Sequence, residues 1–139
     1  MHQLIYVSSA TREMNADDLA GLLRTSRRNN SRLDVTGLLL YREGAFLQVL
    51  EGRRQAVERL YERIRADERH RDVTTLLQAP IDKRDFPDWT MGFRGLGALA
   101  RADVPGVAPF VDKETIASRL AGKPGPASET VRRFLQIET

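Results

Sequence analysis

Two polar side chains interrupt segments that are otherwise apolar, and their chemical types suggest a hydrogen-bonded pair. Gln48 lies within the run GAFLQVLEG, and Tyr6 lies within LIYVSSA. Because side chains alternate between the faces of a strand, Gln48 shares its face with apolar neighbours, where an unpaired amide costs about 1–3 kcal/mol. A tyrosine hydroxyl on a neighbouring strand can satisfy an amide, which both donates and accepts hydrogen bonds. The residues alone leave open whether this pair is functional or only satisfies itself.

Further polar side chains are concentrated where two predicted helices end. They are Asn29 and Asn30 at the first helix and Asp67, Arg69 and His70 at the second. An asparagine pair is often only a helix terminator, and a lone histidine is often structural. Between the helices, however, Leu22 and Ile64 face inward, and apolar walls with polar edges are typical of small-molecule sites. The pattern therefore predicts a slot between the two helices.

These side chains must be positioned by elements that the hydrophobic periodicity predicts. The predicted strands span residues 3–8, 34–41, 44–52, 73–78 and 89–93. The first helix is capped by Asn15 and ends at Arg28, with Asn29 and Asn30 as terminators, and the second spans residues 53–66. The order β-α-β-β-α-β-β is that of a ferredoxin-like α+β fold, in which right-handed crossovers place both helices on one face of a five-stranded mixed sheet.

The other face of this sheet is predicted to be aliphatic, because Ile5, Val7, Leu47 and Val49 all point to it. A cover is needed, and the end of the chain offers one. Two short helices are predicted at residues 112–121 and 128–137, the second capped by Ser128. We therefore expect a core unit of residues 1–94 and a helical extension of residues 95–139 that packs on the sheet.

Composition excludes several classes of site. The 139 residues include no cysteine and only two histidines, so no disulfide, thiolate metal site or histidine-rich metal site is expected. The net charge is +3, and the basic residues alternate with acids, as on a solvated helix face, so no nucleic-acid partner is expected. Neither a leader sequence nor a membrane span is apparent, which predicts a cytoplasmic protein without a membrane partner.

Several motifs together resemble a BLUF domain, the flavin-binding blue-light sensor. They are LIYVSSA, SRRNN, DVTGLLLYREGAFLQVLEG, DERH and PIDKRDFPDW with the following TM, and they cover residues 3 to about 93. The chain is similar to short bacterial BLUF proteins that lack a fused output domain. The resemblance implies a flavin, either FAD or FMN, inserted between the two helices with its ring edge toward the sheet.

The resemblance also implies a role for each matching residue. Tyr6 and Gln48 match the photoactive pair, and Ser26, Trp89 and Met91 match the mobile neighbours of the glutamine. The residues that match flavin contacts are Asn30, Asn29, Leu22, Ile64, Arg63, Asp67, Arg69 and His70. In this family, blue light excites the flavin and the tyrosine gives it an electron and a proton. The glutamine network is then left rearranged, by rotation or tautomerisation, and absorption shifts to the red.

Two functions other than a photosensor are less consistent with the sequence. An RNA-binding module of the RRM type shares the fold but needs exposed aromatic side chains on the open sheet face, and that face is aliphatic here. A small hydrolase would need a Ser-His-Asp set or a carboxylate pair, and neither is evident. The sequence therefore predicts a non-enzymatic sensor that acts on an unidentified downstream protein, with a homodimer expected from the resemblance.

Overall fold

The computed structural model describes residues 1–12, 14–88, 90–95, 113–120, 122–123 and 126–136. Along the chain the elements are β1 (His2–Ala10), α1 (Ala16–Leu33), β2 (Thr36–Arg42), β3 (Ala45–Gly52), α2 (Arg54–Ala66), β4 (His70–Pro80), β5 (Gly92–Gly95), α3 (Lys113–Leu120) and α4 (Pro126–Gln136). None of the helices in these ranges is long and apolar enough to span a membrane.

The strands form one five-stranded sheet in the order β4-β1-β3-β2-β5. Neighbouring strands are antiparallel except β5, which runs parallel to β2, so the predicted ferredoxin-like mixed sheet is confirmed. A tight hairpin joins β2 to β3, and both residues of its turn have positive φ, Glu43 at 42° and Gly44 at 88°. This hairpin sets the register that places Leu39 of β2 opposite Gln48, and Tyr6 lies opposite Gln48 on its other side, in the pairing of β1 with β3.

The first helix begins where the sequence predicts and ends later. Asn15 forms a capping box with Asp18, as expected for an N-cap. The predicted stop at Asn29 and Asn30 is wrong, because α1 continues to Leu33 and closes on Asp34 in the left-handed conformation. The backbone carbonyl of Asn30 accepts from the amide of Val35, so Asn30 belongs to the last turn of the helix.

The two faces of the sheet carry separate cores. The site face lies under α1 and α2 and includes Leu4, Tyr6 and Phe46, whereas the second face includes Ile5, Val49 and their neighbours. The second face is covered by α3 and α4 through Ile116, Leu120, Ala127, Val131 and Leu135, which confirms that C-terminal helices lie on that side. The division into units at residues 94 and 95 stays a prediction.

Other boundaries also differ from expectation, among them those of β4, which spans His70–Pro80 and not residues 73–78. The last strand begins at Gly92, not at residue 89, because side chains of α1 bind the carbonyls just before it: Asn30 Nδ2 lies 2.6 Å from Thr90 O, and Arg27 Nη2 lies 2.9 Å from Met91 O. The last helix begins at Pro126, not after Ser128. Proline fits the first turn of a helix, where its missing N–H costs no hydrogen bond.

Candidate functional site

The predicted pair at the centre of the sheet is formed. Tyr6 and Gln48 are both buried, and the Tyr6 hydroxyl donates a hydrogen bond to Gln48 Oε1. At its other end the same amide reaches Met91, with Nε2 lying 3.4 Å from the thioether sulfur. Because sulfur is a weak acceptor, the Gln48 amide has one strong partner and one weak partner. An amide in this position can exchange its partners at small cost.

The surroundings of Tyr6 fix its protonation state. Burial raises the pKa of the Tyr6 phenol well above its ordinary value, and Tyr61 and Asp67 raise it further. The Tyr61 ring lies 5.3 Å from the Tyr6 ring between centroids. Tyr6 is therefore a neutral phenol in the resting protein, so that losing an electron obliges it to give up its proton. The atom in position to receive that proton is Gln48 Oε1.

A cleft opens from this pair between α1 and α2. Its free volume is about 50 Å³, so it is a narrow cleft that is partly open to solvent. The residues that line it are Leu22, Thr25, Ser26, Asn29, Asn30, Leu39, Gln48, Leu60, Arg63, Ile64, Asp67, Arg69 and His70. On α1, the spacing of positions 22, 26, 29 and 30 brings their side chains to one helical face. Gln48 and Leu39 form the floor of the cleft on the sheet.

Asn30 carries an unsatisfied acceptor into this cleft. Its side chain is buried, and its Nδ2 donates to Thr90 O. Its Oδ1 has no hydrogen-bond partner among the residues that the structure describes. Buried acceptors are nearly always paired in proteins, so this atom is suited to an N–H donor on a bound molecule. A flavin ring has such a donor on its pyrimidine edge, and the residues of the cleft fit that group.

Charged side chains form the edge of the cleft at the end of α2. Arg69 Nη2 lies 2.6 Å from Asp67 Oδ2, and this contact lowers the pKa of Asp67 and raises that of Arg69. The His70 ring is held by Ser8, whose Oγ lies 3.0 Å from Nδ1. Burial lowers the pKa of His70, so the neutral imidazole is favoured. This edge therefore presents a paired charge and a fixed neutral ring.

The structure brings most of the predicted site residues together. All eight residues predicted to contact a flavin line the cleft, as do Gln48 and Ser26, while Tyr6 and Met91 contact Gln48 from behind. Trp89 lies outside the described residues. Their roles toward a flavin stay predictions.

Sequence reasoning missed four residues, which are Ser8, Thr25, Leu39 and Leu60. Strand and helix periodicity could have found three of them. Ser8 lies two residues after Tyr6 on the same face, Leu39 lies opposite Gln48 in register, and Leu60 precedes Ile64 by one helical turn. No sequence signal singles out Thr25.

Two other classes of site find no support in the described part of the chain. No group of three acidic or histidine side chains there could hold a metal ion. An RNA-binding module needs an open sheet face, and α3 and α4 cover the second face here.

Known proteins share both the sequence and the fold. Residues 1–92 match the family model described as BLUF, sensors of blue-light using FAD. Photoactivated adenylate cyclase subunit beta of Euglena longa is 48% identical over 89 residues, which is 63% of this chain and 10% of that protein. The chain thus spans about a tenth of the length of the curated relatives it matches.

Two solved structures are also similar. One is described as BlrB, a BLUF protein in its dark state, with 28% identity, a TM-score of 0.67, and coverage of 96% of this chain and 93% of that one. The other is Klebsiella pneumoniae BlrP1 with FMN and cyclic diGMP, with 35% identity, a TM-score of 0.63, and coverage of 68% and 25%.

Proposed function

The chain belongs to the BLUF family of blue-light sensors that use FAD, and we propose that its flavin binds in the cleft between α1 and α2, with Tyr6 and Gln48 as the photoactive pair. One observation carries this proposal. Gln48 lines the cleft and at the same time accepts the hydrogen bond of a buried tyrosine, so it reaches both the bound molecule and the electron donor.

The cleft residues have different proposed roles in flavin binding. Leu22 on α1 and Ile64 on α2 offer apolar surfaces to the two sides of a flat ring, and Asn30 Oδ1 accepts from its N–H. Asn29 and Arg63 are proposed to contact the more polar part of the cofactor. The Arg69 side chain, held by Asp67, is proposed to donate to a ring carbonyl, and His70 to pack beside the ring.

The photochemistry then follows from the protein groups around the cofactor. When bound, the flavin absorbs blue light and its excited state accepts an electron. Tyr6 supplies that electron, and its proton moves along the existing hydrogen bond to Gln48 Oε1. When the electron and the proton have returned to Tyr6, Gln48 is left in a second arrangement, by rotation or tautomerisation, because its contact with the Met91 sulfur is weak and easily lost. Ser26 and Trp89 are proposed to adjust to this change.

The signal is proposed to be a stronger hydrogen bond from Gln48 to a carbonyl of the ring, which shifts flavin absorption to the red. The decisive experiment is a light-minus-dark absorption spectrum of the purified protein. Tyr6→Phe should keep the flavin bound, because the Tyr6 hydroxyl lies behind Gln48, and should abolish the red-shifted state. An unimpaired photocycle in this variant would overturn the mechanism.

The identity of the flavin is a separate question. We propose FAD, from the family description, with FMN as the alternative, since one related structure contains FMN. The ring contacts described above are common to both. Heat release of the cofactor followed by its mass distinguishes them.

The chain itself is a photosensor domain, and we propose that it controls an effector protein. Photoactivated cyclase subunits are among its relatives, so an effector of that kind is one candidate.

The helical extension of residues 95–139 is proposed to carry the contact with the effector, and a homodimer is proposed for the assembly. Light scattering of dark and illuminated protein tests the oligomeric state. The cytoplasmic location remains a prediction from the sequence.

A further inference from the structure

A buried carboxylate holds the middle of the β4–β5 connection, residues 81–91. Glu51, near the end of β3, is fully buried, and its two oxygens accept three hydrogen bonds. The amides of Asp85 and Phe86 lie 2.7 Å from Oε2 and Oε1 respectively, and Gln3 Nε2 lies 2.8 Å from Oε2. Hydrogen bonds of backbone amides to a charged oxygen are among the strong ones in proteins. This connection is therefore fixed to β3 at Asp85 and Phe86.

The same two residues bind the C-terminal helices. Asp85 Oδ2 lies 2.7 Å from Lys123 Nζ, between α3 and α4. The backbone oxygen of Asp85 accepts from Arg119 Nη1 on α3 at 2.7 Å, and the Arg119 guanidinium lies 5.6 Å from the centre of the Phe86 ring. Phe86 is fully buried in the core of the second face. The centre of the connection is thus packed into the layer that α3 and α4 form.

The far end of the connection lies at the flavin cleft. Its last residues, Thr90 and Met91, are those that contact Asn30 and Gln48. One continuous segment therefore touches the cleft at its end and the C-terminal helices at its middle, and Glu51 holds that middle in place. Glu51 also lies three positions after Gln48 on the same strand, but it points to the opposite face.

We propose that Glu51 is a positioning residue, which fixes the β4–β5 connection so that a rearrangement at Gln48 and Met91 displaces α3 and α4. If the β4–β5 connection were loosely held, it would move by itself and α3 and α4 would stay in place. The inference rests on the proposed function, because the signal it transmits begins at Gln48. Burial raises the pKa of Glu51 although three donors face its carboxylate.

Glu51→Gln tests the proposal with the least change in shape. An amide offers one acceptor oxygen, and its NH₂ group faces a backbone donor, so one of the two contacts with the connection is lost. Opening of residues 81–91, measured by hydrogen exchange in the dark, should become about tenfold more frequent. Glu58→Gln is the matched control, since Glu58 is a partly exposed residue of α2 paired with Arg54, and its exchange should stay at the wild-type level.

The second measurement compares light and dark. Wild-type protein should show a light-dependent change of exchange in α3 and α4, and Glu51→Gln should lose most of it while keeping its flavin and its red shift. Lys123→Met removes only the Asp85 ion pair, and should also reduce that change without loosening residues 81–91 in the dark. The proposal is overturned if Glu51→Gln keeps the same light-dependent exchange change as the wild-type protein. It is also overturned if the wild-type protein shows a red shift but no exchange change in α3 and α4. A missing red shift in wild-type protein instead overturns the proposed function.

Discussion

Strand β3 carries two buried polar side chains that differ in how they are satisfied. Gln48 faces the site side and has one strong partner, Tyr6, and one weak partner, the sulfur of Met91. Glu51 faces the second side, and its carboxylate accepts three hydrogen bonds of ordinary length. This difference in hydrogen bonding determines which of the two groups can change state. A group with one weak contact can rearrange, whereas a fully bonded carboxylate stays where it is.

The two faces repeat this contrast on a larger scale. The site face buries Gln48, Asn30 and His70 around a cleft, and one of their atoms, Asn30 Oδ1, has no partner in the described structure. The second face packs aliphatic side chains of the sheet against those of α3 and α4. An open cleft on one face and close aliphatic packing on the other suit a sensor, since one face must respond and the other must transmit.

The largest expected effect comes from removing the amide that can change state. Gln48→Leu is close in size, so the fold and the flavin should survive through Asn30, Leu22 and Ile64. The Tyr6 hydroxyl would lose its acceptor, at a cost of about 1–3 kcal/mol. Dark absorption should change slightly, and the light-induced red shift should vanish in a difference spectrum. Gln55→Leu is the same change at an exposed position of α2 and should keep the full shift. A wild-type shift in Gln48→Leu would make the buried amide merely structural.

A second experiment removes the cover of the second face. Deleting residues 97–139 takes away α3 and α4 and exposes Ile5, Leu47 and Val49. An apolar patch of this kind promotes association, so the truncated protein should aggregate or form larger oligomers in size-exclusion chromatography with light scattering. The site face is untouched, so any soluble fraction should still bind flavin. A monodisperse and equally stable truncation would show that the second face needs no cover.

How far the sequence predicts these two faces depends on the range of the interactions. The alternation of Tyr6 and Gln48 against Ile5 and Val49 is a local property of each strand, and it was predicted correctly. Most of the cleft residues followed from the polar helix ends and the inward-facing Leu22 and Ile64, whereas Arg63 and Ser26 followed from the resemblance. The network of Glu51 was not predicted, because its partners at positions 3, 85 and 86 are distant along the chain and a glutamate at a strand end carries no local signal.

The predicted end of α1 was wrong for a related reason. Asn29 and Asn30 favour a helix end by local propensity, but Asn30 makes a tertiary contact with Thr90 inside the last turns of α1. Burial in the cleft therefore overrides the local preference, as tertiary context often does. The late start of β5 has the same origin, since the carbonyls just before it are bound by side chains of α1.

A smaller effect is expected from the unsatisfied acceptor of the site face. Asn30→Ala removes Oδ1, and one hydrogen bond contributes about 0.5–1.5 kcal/mol net. Flavin should then be retained several-fold less well, measured as occupancy after extensive dialysis, while the chain stays folded. Asn29→Ala is the control, because Asn29 is less buried and its effect should be weaker. Equal occupancy in the two variants would count against a hydrogen bond from the ring N–H to Asn30 Oδ1.

The smallest expected effect is a pH dependence of stability that comes from the two histidines of the site face. The only histidines of the chain, His2 and His70, lie on β1 and at the start of β4, and burial is the first cause that lowers the pKa of each. For His70, Asp67 raises the pKa and Arg69 lowers it further. For His2, Arg54 lowers the pKa further and Glu58 raises it. The unfolded chain therefore binds protons more readily, so stability should fall as the pH drops below about 6.5. Urea unfolding midpoints should show this loss, and His2→Gln with His70→Gln together should flatten it. If the double variant keeps the wild-type slope, the acid sensitivity arises from groups other than the histidines, such as Asp67, whose pKa is lowered.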